Sequence, residues 1–174
     1  IACRNWFISK GINVTMGGGD LYVVPTPNAS IFGLFIQKEI DAAWTVEPWV
    51  SRLELEAGGK IVYVEPPAQS LTTLLAVSED YLARNPEHVS AIARGNAELN
   101  EWILSNPEEA QARVAKELSR QTKHEFPLAL VQNAWPRLIF DAAISAEDFI
   151  ISLNAAKTAG FVKGDPEIDG LVII

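Results

Sequence analysis

Three short segments set the strongest constraint on how this chain folds: DLYVV (Asp20–Val24), DAAWTV (Asp41–Val46) and KIVYVE (Lys60–Glu65). Each is rich in β-branched, aromatic or small apolar residues, and a helix-like stretch separates it from the next. Strands joined through helices do not form hairpins. They lie parallel, with right-handed crossovers that place the helices on the sheet faces. DAAWTV is a nearly continuous apolar run, as expected of a strand buried on both faces. Between the runs, ASIFGLFIQKE has helical spacing, and PWVSRLELEAGG has Pro48 in its first turn and Gly58-Gly59 at its end, the usual punctuation of a helix. Upstream, IACRNWFISK reads as a helix closed by Gly11. No Ser, Thr, Asp or Asn precedes it, so the pattern predicts a helix that began before Ile1 in a longer protein.

The pattern changes after Glu65. PPAQS is a turn-rich boundary, LTTLLAVS reads as one more strand, and from Glu79 the chain is mostly helical. Asn85-Pro86 and Asn106-Pro107 each start a helix with acidic residues in its first turn, which complements the helix dipole. SAEDFIISLNAAKTAG reads as a helix capped at Ser145 and stopped at Gly160. The expected fold class is α/β. Residues 1–70 would form a parallel-sheet lobe, and residues 71–174 a crossover strand followed by a helical C-terminal part.

Composition narrows the function. The formal charge of -8 argues against nucleic acid as a partner. Hydrophobic residues make up 48% with five Trp, which suits a packed core. A lone cysteine, Cys3, excludes an internal disulfide without excluding export. It lies on an apolar helix face, as an inert packed thiol would. His88 and His124 lack the partners of a zinc site and read as surface residues. Gly17–Gly19 precede a strand rather than open a helix, so they read as a turn and not a phosphate cradle. Neither metal nor other cofactor is implied, and no enzyme motif is present.

In an open parallel sheet, ligands bind beyond the carboxyl ends of the strands. Two turns would reach that edge: Thr26-Pro27-Asn28-Ala29-Ser30 after DLYVV, and Thr45-Val46-Glu47-Pro48-Trp49 after DAAWTV. If the two strands are neighbours, both turns share one rim and lead into helix N-termini with unpaired N–H groups. Thr26, Asn28, Ser30 and Thr45 would add directional hydrogen bonds, and Trp49 a flat apolar wall. Each also has an ordinary reading. Asn28 and Ser30 serve as caps, Glu47 as a first-turn acid, and Trp49 as core packing. Ser51, Arg52, Glu54 and Glu56 read as a solvated helix face. Arg137, beside Trp135, would reach an anionic ligand if its segment lines the cleft, and is otherwise a surface or stacking residue.

DAAWTVEPWVSRLELEAGGKIV resembles the "D-A … E-P-W … G-G-K" stretch of substrate-binding proteins of ABC importers, the nitrate, sulfonate and taurine class. VSEDYLARNPEHVSAIARGNAELNEWILSNPEEAQARVAKEL is similar to the helices that follow in that family. AWPRLIFDAAISAEDFIISLNAAKTAGFVK is similar to its late "W-x-R-x-x-F-D" and Gly-Phe segments. The likeness spans most of Asp20 to Gly170. It implies a type II periplasmic-binding-protein-like fold of two lobes closing on a small molecule, with this chain supplying the second lobe and C-terminal helices. It further implies no catalysis, an ABC permease as membrane partner, and a periplasmic or extracytoplasmic location, free or lipid-anchored. The ligand-binding set would be Thr26, Asn28, Ser30, Thr45, Glu47, Trp49 and Arg137. Next to an anion, the Glu47 carboxylate must turn away, meet a positively charged end, or hold the loop by accepting backbone N–H groups.

Two other functions fit the same pattern. A binding protein for a thiamine-precursor pyrimidine or a flavin-like heterocycle would stack its ligand on the aromatics. An effector-sensing domain of a transcription regulator would carry a DNA-binding helix pair upstream. The apolar stripes Ile92, Leu99, Trp102, Ile103 and Leu128, Val131, Trp135 are expected to be covered by a missing lobe, a second copy or one another.

Overall fold

A computed structural model describes residues 1–15, 17–66 and 73–172. The chain divides into two compact units, Ile1–Ser30 with Tyr63–Thr73 and Ile144–Ile174, and Ile31–Val62 with Leu74–Ala143.

In the first unit, helix α1 (Ala2–Ser9) begins with no side-chain cap at Ile1. Strands β1 (Val14–Thr15) and β2 (Gly18–Gly19) pair antiparallel, with Val14 opposite Gly19 and Thr15 opposite Gly18. This short hairpin is what the triple glycine makes possible. Gly19 has φ +128, and a Cβ there would lie 2.1 Å from the Asn13 carbonyl oxygen, so only glycine fits. The Arg4 guanidinium, 5% exposed, donates to the Thr15 carbonyl at 2.9 Å and lies over the Phe161 ring. Helix α8 (Ala146–Thr158) opens with the expected cap: Ser145 Oγ accepts from Asp148 N–H, and Asp148 accepts from Ser145 N–H. It is tied to α1 by Asn5 Nδ2 donating to the Ala155 carbonyl at 2.7 Å. Trp6 packs against Phe7 and Tyr63.

Helix α2 (Asn28–Ile36) starts in the first unit and ends in the second. The second unit further holds α3 (Trp49–Ala57), α4 (Glu79–Arg84), α5 (Pro86–Ser105), α6 (Pro107–Thr122) and α7 (Leu128–Ala134), which runs into a 3-10 turn at Trp135–Arg137. Its core gathers on α7, where Leu130, Val131 and Ala134 are 3–4% exposed and face α3 and α6. Leu53 of α3 and Ala110 and Ala115 of α6 complete that core. Helix α3 ends as its glycines predict, with Gly58 left-handed at φ 66. The helix starts at Pro86 and Pro107, and the Gly160 stop, also fall where the punctuation places them.

The expected strands are not formed. DLYVV, DAAWTV, KIVYVE and the described part of LTTLLAVS (residues 73–78) carry no regular structure, and Leu71 and Thr72 lie outside the described residues. Several of their apolar side chains remain open, with Tyr22 76%, Val62 86% and Leu75 68% exposed, while Tyr63 packs on Trp6. Strand propensity measures fit to a pleated, half-buried surface, so a segment without a ladder partner does not become a strand by itself. Of the predicted stripes, Val131 is buried and Trp135 stacks on Phe140 at 4.8 Å, while Ile92 and Leu99 of α5 are about half exposed.

Candidate functional site

The Glu-Pro-Trp turn explains itself at the start of α3. Pro48 occupies the N-cap position and its ring has no acceptor with which to cap a helix. Glu47, one residue earlier, supplies it. One carboxylate oxygen, Oε2, accepts from the Ser51 backbone N–H at 3.0 Å and from the Ser51 hydroxyl at 2.8 Å. The Glu47–Pro48 peptide bond is cis. The N–H groups of Trp49 and Val50 go to the Val46 carbonyl, and that of Arg52 to Pro48. The first-turn donors of α3 therefore all have acceptors, so ligand recognition at this turn falls to side chains rather than to open helix N–H groups.

The other oxygen of Glu47, Oε1, accepts from Arg137 Nε at 2.5 Å. Arg137 Nη2 donates to Ser51 Oγ at 2.9 Å and lies 3.6 Å from Glu54 Oε2. That same Glu54 oxygen accepts from Asn133 Nδ2 at 2.8 Å. Ser51 is 0% exposed, and the Glu47 side chain 7%. The pair joins the start of α3 to the 3-10 turn after α7, with charge and hydrogen-bonding capacity largely satisfied inside the cluster.

One reading of α3 is corrected here: Ser51 is fully buried and does not belong to a solvated face. Glu54 is bound to Asn133 yet keeps a side chain 36% exposed. Arg52 and Glu56 form the expected outer pair, at 3.0 Å with side chains 39% exposed, and Arg52 also covers the Phe32 ring at 4.1 Å. The clue lay in spacing. Ser51 and Glu54 stand at i and i+3 on one face of α3, and Glu47 lies four residues before Ser51, just ahead of the helix. Arg137 and Asn133, which meet these residues, are too distant in sequence for spacing to reveal.

Among the remaining candidates, Thr26 is half-buried and its hydroxyl donates to the Val24 carbonyl at 3.1 Å. Asn28 and Ser30 are exposed and lie inside α2, at its first and third positions, rather than ahead of it as caps. Thr45 and Trp49 are half-buried. Thr26, Asn28 and Ser30 belong to the first unit, and Thr45, Glu47, Trp49 and Arg137 to the second. His88 and His124 are exposed. Burial pushes the Cys3 thiol above its ordinary pKa, which keeps it protonated and unreactive. Among the described residues, no group of three His, Cys, Asp or Glu is placed to hold a metal, and no helix is long and apolar enough to cross a membrane.

The NMT1-like family profile matches residues 1–119, well over half of the chain. The chain belongs to the NMT1-like family. This is a family of ABC substrate-binding proteins of the nitrate, sulfonate and taurine type, whose members bind solutes rather than transform them and act outside the cytoplasm. Comparison with curated proteins and with solved structures finds no match. The NMT1-like match takes in both candidate turns and all of α3, and ends before Asn133 and Arg137. One half of the Glu47 cluster thus lies inside the matched region and the other half outside it.

Proposed function

We propose that this protein is the solute-binding component of an ABC importer. It captures a small anion such as an aliphatic sulfonate, taurine or nitrate between two lobes and hands it to a membrane permease from the extracytoplasmic side. The observation that carries this reading is the family match across residues 1–119. In a type II binding fold, the strand-like runs 20–24, 41–46, 60–65 and 73–78 would serve as strands of a parallel sheet. Closure would follow from tighter binding of solute to the closed form.

The geometry removes one objection. An exposed carboxylate in the Thr45–Trp49 turn would repel an anion, but Glu47 is turned inward and bound by Arg137 and Ser51. Within the second unit, half-buried Thr45 and Trp49 are the candidate residues to meet a solute. The test is a thermal-denaturation series on the full-length protein with taurine, alkanesulfonates and nitrate. A true ligand at a hundred times its dissociation constant stabilises the folded state by about 2.7 kcal/mol. No shift with any of these solutes would overturn the anion assignment.

A heterocyclic ligand is favoured by one observation: Trp44 is 37% exposed next to Thr45, in the same turn as half-buried Trp49. Quenching of Trp emission by a pyrimidine or flavin, absent with sulfonates, would select that ligand class.

A further inference from the structure

We propose that helix α5 pairs antiparallel with α5 of a second copy of this chain, the two helices crossing at Gly95 on a two-fold axis. The surface lies wholly within the second unit, and the proposal does not depend on which solute is bound.

Helix α5 runs for 20 residues and holds no buried residue. It packs on α4 and α6, and a further face is left open. His88, Ile92, Gly95, Leu99 and Trp102 follow one another at steps of four, three, four and three. That spacing is the a/d seam of a helix built to pair with another helix. Ile92 and Leu99 are 52% and 53% exposed, His88 and Gly95 are exposed, and Trp102 is half-buried with Arg113 over its ring at 5.2 Å.

Gly95 points the same way independently. Glycine inside a helix weakens it relative to alanine. A Cβ added at Gly95 would meet nothing among the described residues, so no contact within the chain calls for glycine there. A second backbone crossing at that point would. Gly95 is also the centre of the seam. With Gly95 on the axis, Ile92 faces Leu99 of the second copy and His88 faces Trp102 of the second copy, each pair formed twice. Antiparallel helices also set opposite dipole ends side by side, whereas parallel ones align like ends. The flanking charges complement each other. Arg94 donates to Ser90 Oγ, and neither Arg94 nor Glu98 has an ion pair among the described residues. In the antiparallel register Glu98 lies within one turn of Arg94 of the second copy, on the same side of the seam. Two helices about 30 Å long packed along one seam bury on the order of 1,000 Å² in total, the low end for a specific interface, so the dimer is a reversible one.

Sedimentation equilibrium of the full-length protein over a concentration series tests the pairing. A monomer–dimer equilibrium is expected. Leu99→Glu weakens it by about tenfold or more, because it forces an unpaired carboxylate into an apolar seam. Gly95→Leu weakens it by holding the crossing apart. Both positions are exposed, so far-ultraviolet circular dichroism stays that of the wild type. Direction is read by cysteine pairing in a Cys3→Ala background. Under air oxidation a mixture of Ile92→Cys and Leu99→Cys chains gives a crosslinked heterodimer, and neither variant crosslinks with itself. A monomer at every concentration would overturn the proposal. So would a dimer that both substitutions leave intact, or crosslinking of Ile92→Cys with itself, the mark of a parallel pair.

Discussion

Arg137 Nε stands 2.5 Å from Glu47 Oε1 across 90 residues of sequence, and the carboxylate it meets is the one that caps helix α3. One side chain therefore serves two structures. It satisfies an orphan N–H at a helix start and it anchors the segment after α7. Removing the cation leaves a 7% exposed carboxylate without its counter-charge, which is the costly way to break such a pair.

Arg137→Met is expected to destabilise the protein by about 3 kcal/mol, the low end for a broken buried pair because Arg137 keeps 23% exposure. Ser51→Ala, which removes the hydroxyl between Glu47 and Arg137, should cost about 1–3 kcal/mol. Urea unfolding of both variants checks the order, and a smaller loss in Arg137→Met than in Ser51→Ala would contradict the charge argument.

Leu130→Ala should cost about 2–5 kcal/mol, because Leu130 is 4% exposed at the centre of the α7 core. The same change should weaken the Glu47–Arg137 contact indirectly, since α7 carries the 3-10 turn on its end. Near-ultraviolet circular dichroism of the tryptophans would report it.

Gly19→Ala should disrupt the β1–β2 hairpin, with a Cβ forced to 2.1 Å from a backbone oxygen at φ +128. A strained backbone of that kind costs on the order of 1–3 kcal/mol before the clash is counted. A variant with wild-type stability would show that the hairpin relaxes freely.

Ser145→Ala removes the capping box of α8 and should cost about 1 kcal/mol at neutral pH. The effect depends on pH. Hydrogen bonds from the Ser145 side chain, then from its backbone, hold the Asp148 carboxyl below its ordinary pKa. A depressed folded-state pKa gives stability that is present above the unfolded value of 3.8 and lost as pH falls through the lower folded value. The difference between wild type and Ser145→Ala should therefore shrink on acidification below that window. An unchanged difference in acid, measured by melting temperature, would argue against the carboxylate's part in the cap.

Much of the helical framework is legible residue by residue. Pro86 and Pro107 open helices, Gly58 and Gly160 close them, and Ser145 caps one, because these are local events set by φ preferences and by side chains within a turn or two. The Glu-Pro-Trp turn is also marked in the sequence, though its role is not. Local signals end where partners are remote. DLYVV, DAAWTV and KIVYVE have the composition of strands, yet a strand exists only when another backbone completes its ladder, and none of the described residues does so. Ser51 looks like a polar residue on an outer helix face until Arg137 and Asn133 arrive from a distant segment to cover that face.

The sequence by itself thus determined where helices begin and end, that the Glu47 turn is a helix start, and the family to which the chain belongs. Tertiary structure alone decided that Glu47 meets Arg137, that Ser51 is buried between them, and that the described strand-like runs carry no regular structure. The physical reason is the range of the forces involved. Capping and backbone preference act across three or four residues, whereas charge pairing, burial and sheet ladders depend on which distant segments the fold brings together.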